Sequence, residues 1–485
     1  METPSHYQEA IFKHLENRGG NSAVIGVAGC GKTWTAIEGV GRISPVYSKL
    51  LGTFTTAIRD EFRNRGTARG FQSTDYETYN SFGWKVCLRN LKRKPELDKD
   101  KTQNILEFVT MKGSSKFYKF KGSIIRLISL FKALNIHSVE EALSQYNEIV
   151  DHYNVNTPDD ADYLPTVMAT FEESIRDLDH FDFDDQKYMP LHLGMPIPKF
   201  DQVLLDEFQD SCPVEMALMI EASRGGQFCG FGDPDQAIYG FKGATPDAFD
   251  KYIEQEGAIR LPLSICYRCP KAVIREAQTI VPRIEWAPGA IEGSVDGIKF
   301  ADFMKRIKPG DMVLCRVTSE LVRTCIEFMK AGISAKIRGR DFGEGITYLI
   351  DKVTNNQNLQ IAGFITALMQ YQADRTTQLA ALRRDNEIIM LEDRVNTIKA
   401  LADIATSSEQ IKKIMANLFT DTKHNGVDLM TCHKSKGLQN KKVYLLRPDL
   451  LPHPASKKRA WMQAEEKRLK YVTITRAEEE FNYVT

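Results

Sequence analysis

The segment SAVIGVAGCGKTWTAIEGV carries the densest chemistry in the chain: an apolar run ends at Gly26, four residues follow, and Gly31-Lys32-Thr33 opens a stretch of helical character. This is a P-loop in its strand-loop-helix setting, and each residue type answers to a polyanion. Small Gly29 and Gly31 let backbone N–H groups approach phosphate oxygens, while the following helix aims its positive end at them. Lys32 neutralises the β- and γ-phosphates of ATP, and Thr33 offers its hydroxyl to Mg²⁺. Gly26, Ala28, Gly29, Cys30, Gly31, Lys32 and Thr33 are the candidate nucleotide-binding residues.

Such a site needs acids at the tip of another buried strand. In FDQVLLDEFQD, Val203, Leu204 and Leu205 form the strand and Asp206-Glu207 stand at its end. Asp206 holds Mg²⁺ through water with Thr33, and Glu207 orients and deprotonates the attacking water. A DE pair after apolar residues is by itself commonly a solvated strand end; the P-loop gives this one its meaning. A third core strand, QFCGFG, leads to Gln236, an uncharged group able to sense the γ-phosphate, although DPDQ also has turn chemistry.

The elements that position these groups follow from the wider pattern. Residues 1–83 and 180–255 alternate short apolar runs with helical patterns, the signature of a doubly wound parallel sheet, and should form one nucleotide-binding domain. Residues 84–179 read as amphipathic helices, SIIRLISLFKALNI and VEEALSQYNEIV among them, inserted into that domain. Residues 256–342 and 425–485 carry the strand runs MVLC, VDLMT and KVYLL of a second sheet domain. The stretch 343–424, with LEDRVNTIKALADI and EQIKKIMANLF, is its helical insertion.

With 485 residues the chain exceeds one ordinary core. Hydrophobic residues at 42% and charged ones at 26% are those of a soluble globular protein and exclude disorder as the theme. Lys plus Arg equals Asp plus Glu at 64 each, so any basic surface for nucleic acid must be local. The start has neither a secretory nor a transit composition, and no apolar run approaches about 18 residues, which points to a cytoplasmic protein, or host cytoplasm for a viral one. Nine cysteines then read as reduced thiols. Cys266 and Cys269 have CxxC spacing, but no second CxxC completes a zinc site.

Further segments, in order, complete a resemblance that runs nearly end to end. HYQEAI, AGCGKT, GTFTTAIRDEF, TYNSFG, VLLDEFQD, GDPDQAIYGFKGA, LPLSICYRCP, DMVLCRV, LMTCHKSKGLQNKKVYLL and EEKRLKYVTITRA resemble the motifs of the UvrD/Rep family of superfamily 1 DNA helicases. The resemblance implies an α/β fold with two RecA-like P-loop parallel-sheet domains in tandem, each carrying a mainly helical insertion, the second one reduced. It implies that Gln8 reads the adenine edge, Tyr267 stacks on adenine, and Gln439 meets the ribose. Arg268 and Arg476 would reach the γ-phosphate from the second motor domain as arginine fingers. Phe54, Thr55, Asn80, Tyr239, Phe241, Lys242 and His433 fall on segments near the DNA path. Three positions depart from the family pattern: Asn80 replaces a His, Phe241-Lys242 replaces Trp-Arg, and Gln439 replaces a Glu.

Binding single strands without sequence preference takes aromatic faces and a positive track. KFYKFKG interleaves Lys116, Lys119 and Lys121 with aromatic residues, which is either a grip on duplex or displaced strand, or a solvated basic face. The implied activity is a monomeric, ATP-dependent, Mg²⁺-requiring helicase that translocates 3′→5′ on single-stranded DNA and unwinds at ss/dsDNA junctions, with replication or repair proteins as further partners. Two alternatives stay open: a translocase that displaces proteins with little unwinding, and a nucleic-acid-binding module switched by ATP.

Overall fold

The computed structural model describes residues 3–71, 73–111, 120–153, 155, 157–158, 160–238, 248–381, 385–420, 425–458 and 460–485. Two compact units divide the chain, Met1–Ser264 and Ile265–Thr485.

Strands of the first unit are β1 (Ser22–Gly26), β2 (Lys49–Thr53), β3 (Thr74–Thr78), β4 (Glu96–Leu97), β5 (His180–Phe181), β6 (Gln202–Leu205), β7 (Gln227–Gly232) and β8 (Ile259–Leu263). Six of them form one sheet in the order β3-β2-β6-β7-β1-β8, with every pair parallel. Parallel strands covered on both faces must be apolar throughout, and all four residues of β6 are buried. Because the strands run one way, the carboxyl ends of β1, β2, β3, β6 and β7 open on a single edge, where an open α/β sheet places its ligands.

The sequence reading began the second domain at residue 256. The structure moves that boundary: β8 completes the first sheet beside β1, with Val24 opposite Leu261. A short strand such as IRLPL has no local mark of which sheet it will join.

Helices Lys101–Met111, Lys121–Ala133, Val139–Tyr153 and Tyr163–Arg176 make up the first insertion. They enclose their own core, with Leu106, Ile124, Leu127, Phe131, Tyr146 and Phe171 at its centre. The helix Tyr79–Asn90 crosses the expected 83/84 boundary, and its Phe82 and Val86 pack with Val203 and Leu205 in the sheet's core.

A buried ionic joint links the two cores. Asp185, on the helix Asp185–His192, has Lys101 Nζ at 2.8 Å and Lys132 Nζ at 2.7 Å, and Asp182 lies 3.0 Å from Lys132. Lys101, Lys132 and Asp185 are each at most 1% exposed.

In the second unit, β9 (Ile265–Cys266) and β10 (Glu285–Trp286) form a parallel ribbon. β11 (Ser294–Ile298), β12 (Met312–Cys315), β13 (Ala335–Ile337), β14 (Val427–Thr431), β15 (Asn440–Leu446) and β16 (Ala477–Val484) form a second parallel sheet in the order β11-β16-β15-β12-β14-β13. The fold is thus α/β with two parallel-sheet units, each carrying helices in the expected slots.

The second slot differs in kind from the first. Helices Arg340–Thr354, Ile361–Ala381, Asp385–Ala402 and Ser408–Leu418 bury Ile350, Phe364 and Val395 in the same cluster as Val313, Leu321 and Leu429 of the sheet layer. Asp393 also caps the helix Thr318–Lys330, its carboxylate accepting from the Thr318 and Ser319 N–H groups at 2.9 Å each. Among the described residues no helix is long and apolar enough to cross a membrane.

Removing one partner of a buried ion pair strands the other charge, so Asp185→Ala should destabilise the first unit by about 3–5 kcal/mol. Urea unfolding of the full chain checks this; a change below about 1 kcal/mol would show that the joint does not carry the predicted charge coupling.

Candidate nucleotide and nucleic-acid sites

At the end of β1 the chain turns through two left-handed glycines, Gly29 at φ 67° and Gly31 at φ 79°. Gly26 is required for space: a Cβ there would lie 2.7 Å from Cys30 Sγ and 2.8 Å from Lys32 Cγ. The helix Lys32–Arg42 starts from Gly31 without a side-chain cap, an arrangement suited to an anion at its N-terminus. Gln8 sits beside this turn. Its Nε2 donates to Thr35 Oγ1 at 3.1 Å, and its Oε1 accepts from Ser5 N at 2.9 Å in the cap of the helix His6–Glu16.

β6 and β7 bring the acids. Thr33 Oγ1 donates to Asp206 Oδ2 at 2.8 Å, and Asp206 Oδ1 accepts from the Glu207 N–H at 3.0 Å. Glu207 lies at φ 54°, ψ 40°, a left-handed conformation costing a side-chain-bearing residue of order 1–3 kcal/mol, as residues at functional sites often do. Gln209 Nε2 donates to Glu207 Oε2 at 2.5 Å, and Gln209 Oε1 accepts from Asp233 N at 2.9 Å. Gln236 Nε2 in turn donates to Asp233 Oδ2 at 2.6 Å.

The structure therefore brings Lys32, Thr33, Asp206, Glu207 and Gln236 to one place. It adds Gln209 and Asp233, which lie inside the DEFQD and GDPDQ strings but received no role from the sequence reading.

Burial sharpens the electrostatics. Asp206 is fully buried, and desolvation first, then the neighbouring Glu207 carboxylate, push its carboxyl up to about 7. Desolvation opposes the charge of Lys32, yet Cys30, Glu207, Asp233 and Asp206 together raise its pKa.

A hydroxyl and a carboxylate already within hydrogen-bond distance are oxygen ligands of the kind Mg²⁺ takes, with substrate phosphates completing the shell. Among the described residues there is no cluster of three or more His, Cys, Asp or Glu suited to a metal.

Around the ends of β2 and β3 lie the residues expected near DNA. Phe54 is 37% exposed, with its ring edge-on to Tyr79 at 6.2 Å, and Thr55 caps the helix Thr56–Ala68. Asn80 Nδ2 donates to the Phe183 carbonyl at 2.6 Å, so its amide holds a loop. That loop presents Phe183, 64% exposed, to which no role was assigned because in FDFD alternation with aspartates does not distinguish the exposed Phe183 from the buried Phe181. Lys121 pairs with Glu107 at 3.2 Å. Lys116, Lys119, Tyr239, Phe241 and Lys242 lie outside the described residues.

In the second unit Tyr267 is half exposed, and Arg268 Nη1 donates to Thr475 O at 3.3 Å. Arg476 is buried. Its Nε meets Val472 O at 2.7 Å, Nη1 meets Leu438 O at 3.0 Å, and Nη2 meets Thr475 Oγ1 at 3.1 Å. Gln439 is exposed and donates to Glu478 at 2.7 Å. Gln439 and Arg476 precede the adjacent strands β15 and β16, at the amino edge of that sheet.

His433 follows β14 at the opposite edge, near Arg316. Desolvation and the Arg316 charge lower its pKa to about 3, which keeps the ring neutral. Arg316 is clamped by Glu466, with Nε at 2.8 Å and Nη2 at 2.6 Å from Oε1. Cys266 and Cys269 are buried, with Cys269 N donating to Cys266 Sγ at 3.4 Å. A hydrogen bond from the Cys269 thiol, more than the backbone N–H, holds the Cys266 thiol down at about 7.

Comparison with known proteins follows the same lines. A sequence model of the UvrD/REP helicase N-terminal domain matches residues 7–256. YjcD of Bacillus subtilis is 23% identical over 428 residues, covering 64% of this chain and 56% of that protein. The ATP-dependent DNA helicase PcrA of Staphylococcus aureus is 21% identical over 606 residues, covering 98% of this chain and 82% of that protein. This chain thus spans little more than half the length of YjcD. An arterivirus nonstructural protein 10 helicase structure aligns with a TM-score of 0.37 at 12% identity, covering 98% of this chain and 62% of that one.

An acid whose pKa is raised by folding binds more protons in the native state, so its contribution to stability falls as pH rises from about 4 through about 7. Asp206→Asn should therefore raise Tm of the ligand-free chain at pH 8 and flatten the dependence of Tm on pH between 5 and 8. Thermal unfolding across that range checks it; an Asn variant that melts earlier at pH 8 would contradict the assigned shift.

Proposed function

Because the chain belongs to the UvrD/REP helicase family, we propose that it hydrolyses ATP to travel along single-stranded DNA, 3′→5′, and couples that travel to duplex unwinding. The observation that carries the reading is the shared edge of the first sheet. The phosphate turn after β1, the acids after β6 and the Asp233–Gln236 turn after β7 open on the same edge as Phe54 and Asn80 after β2 and β3.

The chain's own groups divide the chemistry. The glycine turn and helix N-terminus seat the triphosphate, and Lys32 neutralises it. Glu207 takes a proton from the attacking water, while Gln236 senses the γ-phosphate through an amide. Thr33 and Asp206 would hold Mg²⁺, which would supply charge neutralisation on the phosphate oxygens when bound. Arg268 and Arg476 are read as the cations that stabilise the transferring phosphoryl group. Gln8, Tyr267 and Gln439 are assigned to the nucleoside.

On the nucleic-acid side, Phe54 and the exposed Phe183 offer faces for bases, and Asn80 positions the Phe183 loop. His433, held neutral, meets a strand as a hydrogen-bonding group instead of a cation. In this reading residues 1–264 form one motor with the helical insertion, and 265–485 form the other.

A second reading is favoured by one observation. Among the described residues the helices at 340–418 share the core of the second sheet, which suits a translocase that strips proteins from single strands with little unwinding.

Lys32→Ala and Glu207→Gln should each lower DNA-stimulated ATP turnover by about 100-fold or more. Turnover surviving either change at near wild-type rate rejects the site assignment. Duplexes bearing a 3′ or a 5′ tail, with and without a protein block on the tail, separate the two readings. Strand separation on the 3′-tailed duplex is expected; separation only from the 5′ tail rejects the polarity, and block removal without separation selects the second reading.

A further inference from the structure

Gln209 has no role in the assignment above, yet it is 1% exposed and uses both ends of its amide. Its Nε2 lies 2.5 Å from Glu207 Oε2 and 3.5 Å from Asp210 Oδ2. Its Oε1 accepts from the Asp233 N–H at 2.9 Å, the first residue of the turn that carries Gln236. A backbone N–H can only donate, so the Asp233 contact fixes which end of the amide is oxygen. The NH₂ end must then face the Glu207 carboxylate.

The pocket for this amide is cut to size. A Cβ on Gly232 would come within 2.4 Å of Gln209 Oε1 and 2.6 Å of the Phe249 ring. Glu207 itself sits half-buried on a left-handed backbone at the tip of β6. The donor from Gln209 meets one of its two carboxylate oxygens.

We propose that Gln209 is a positioning residue that holds the Glu207 carboxylate in line for water activation and ties that alignment to the Asp233–Gln236 turn. The inference rests on the hydrolytic reading above. Glu207, Gln209, Asp233 and Gln236 form one unbroken run of hydrogen bonds at 2.5, 2.9 and 2.6 Å. A shift of the Gln236 turn on meeting phosphate is therefore delivered to the base through Gln209. A carboxylate at position 209 could not substitute. It would meet Asp233 N–H acceptably but set two acceptors, both charged, against each other at Glu207.

Two variants test the proposal. Gln209→Met keeps the length of the side chain without its hydrogen bonds. It should lower kcat of DNA-stimulated ATP hydrolysis about tenfold or more, with KM for ATP within about twofold of wild type, since only the geometry of the base is lost. Gln209→Glu keeps an acceptor for the Asp233 N–H but removes the donor to Glu207, so it too should lower kcat about tenfold or more with KM for ATP within about twofold of wild type.

Wild-type kcat in Gln209→Met, or a raised KM with kcat unchanged, overturns the inference. If the Met variant fails to fold, the Glu variant decides, and wild-type kcat in it overturns the inference. Wild-type chain that does not turn over ATP at all indicts the hydrolytic reading instead. Loss of turnover in Glu207→Gln alongside normal Gln209→Met indicts only the role of Gln209.

Discussion

One buried ammonium facing three carboxyl groups governs the first unit. Lys32 lies among Asp206, Glu207 and Asp233 in a site from which water is largely removed, so the local charge is negative without a further cation. Such a balance is costly in a low-dielectric setting, and part of the cost appears as the raised pKa of Asp206. The left-handed backbone at Glu207 adds to that cost. In the proposed reading a divalent cation beside Asp206 would offset the negative charge.

What holds this unfavourable arrangement is the sheet behind it. β1, β6 and β7 are adjacent and parallel, with almost every residue buried, so the three loops at their ends cannot move apart without breaking the core. Gln209 then works at a finer scale, linking two of those loops through one amide. The sheet fixes position to within a loop, and the hydrogen bonds fix orientation to within a rotamer.

The two insertions are attached by different physics. The first has a separate apolar core and meets the motor through Lys101, Lys132, Asp182 and Asp185, a joint that depends on geometry because unpaired charges there are heavily penalised. The second continues the apolar core of its sheet and adds a carboxylate cap from Asp393 to the helix just beyond Arg316. Its helices act as a brace of the sheet that bears Arg316, itself clamped by Glu466. Buried charge in both units is thus used to orient segments, with apolar packing supplying the stability.

The P-loop, the acidic strand tip, the parallel sheets and the amphipathic helices of both insertions could be read from the sequence, because each is a short-range pattern. Spacing of glycines, runs of buried strand residues and a helical period are written within a dozen neighbouring residues. The tertiary structure decided the rest. β8 joined the first sheet by pairing with β1, Asn80 turned to the Phe183 carbonyl, Lys121 turned to Glu107, and Arg476 became buried among Val472, Leu438 and Thr475. Gln209 acquired its place only when β6 and β7 became neighbours. Each of these contacts except the local bonds of Arg476 joins residues well separated along the chain. Their partners are chosen by packing and by the need to satisfy buried polar groups, and no local pattern encodes that choice.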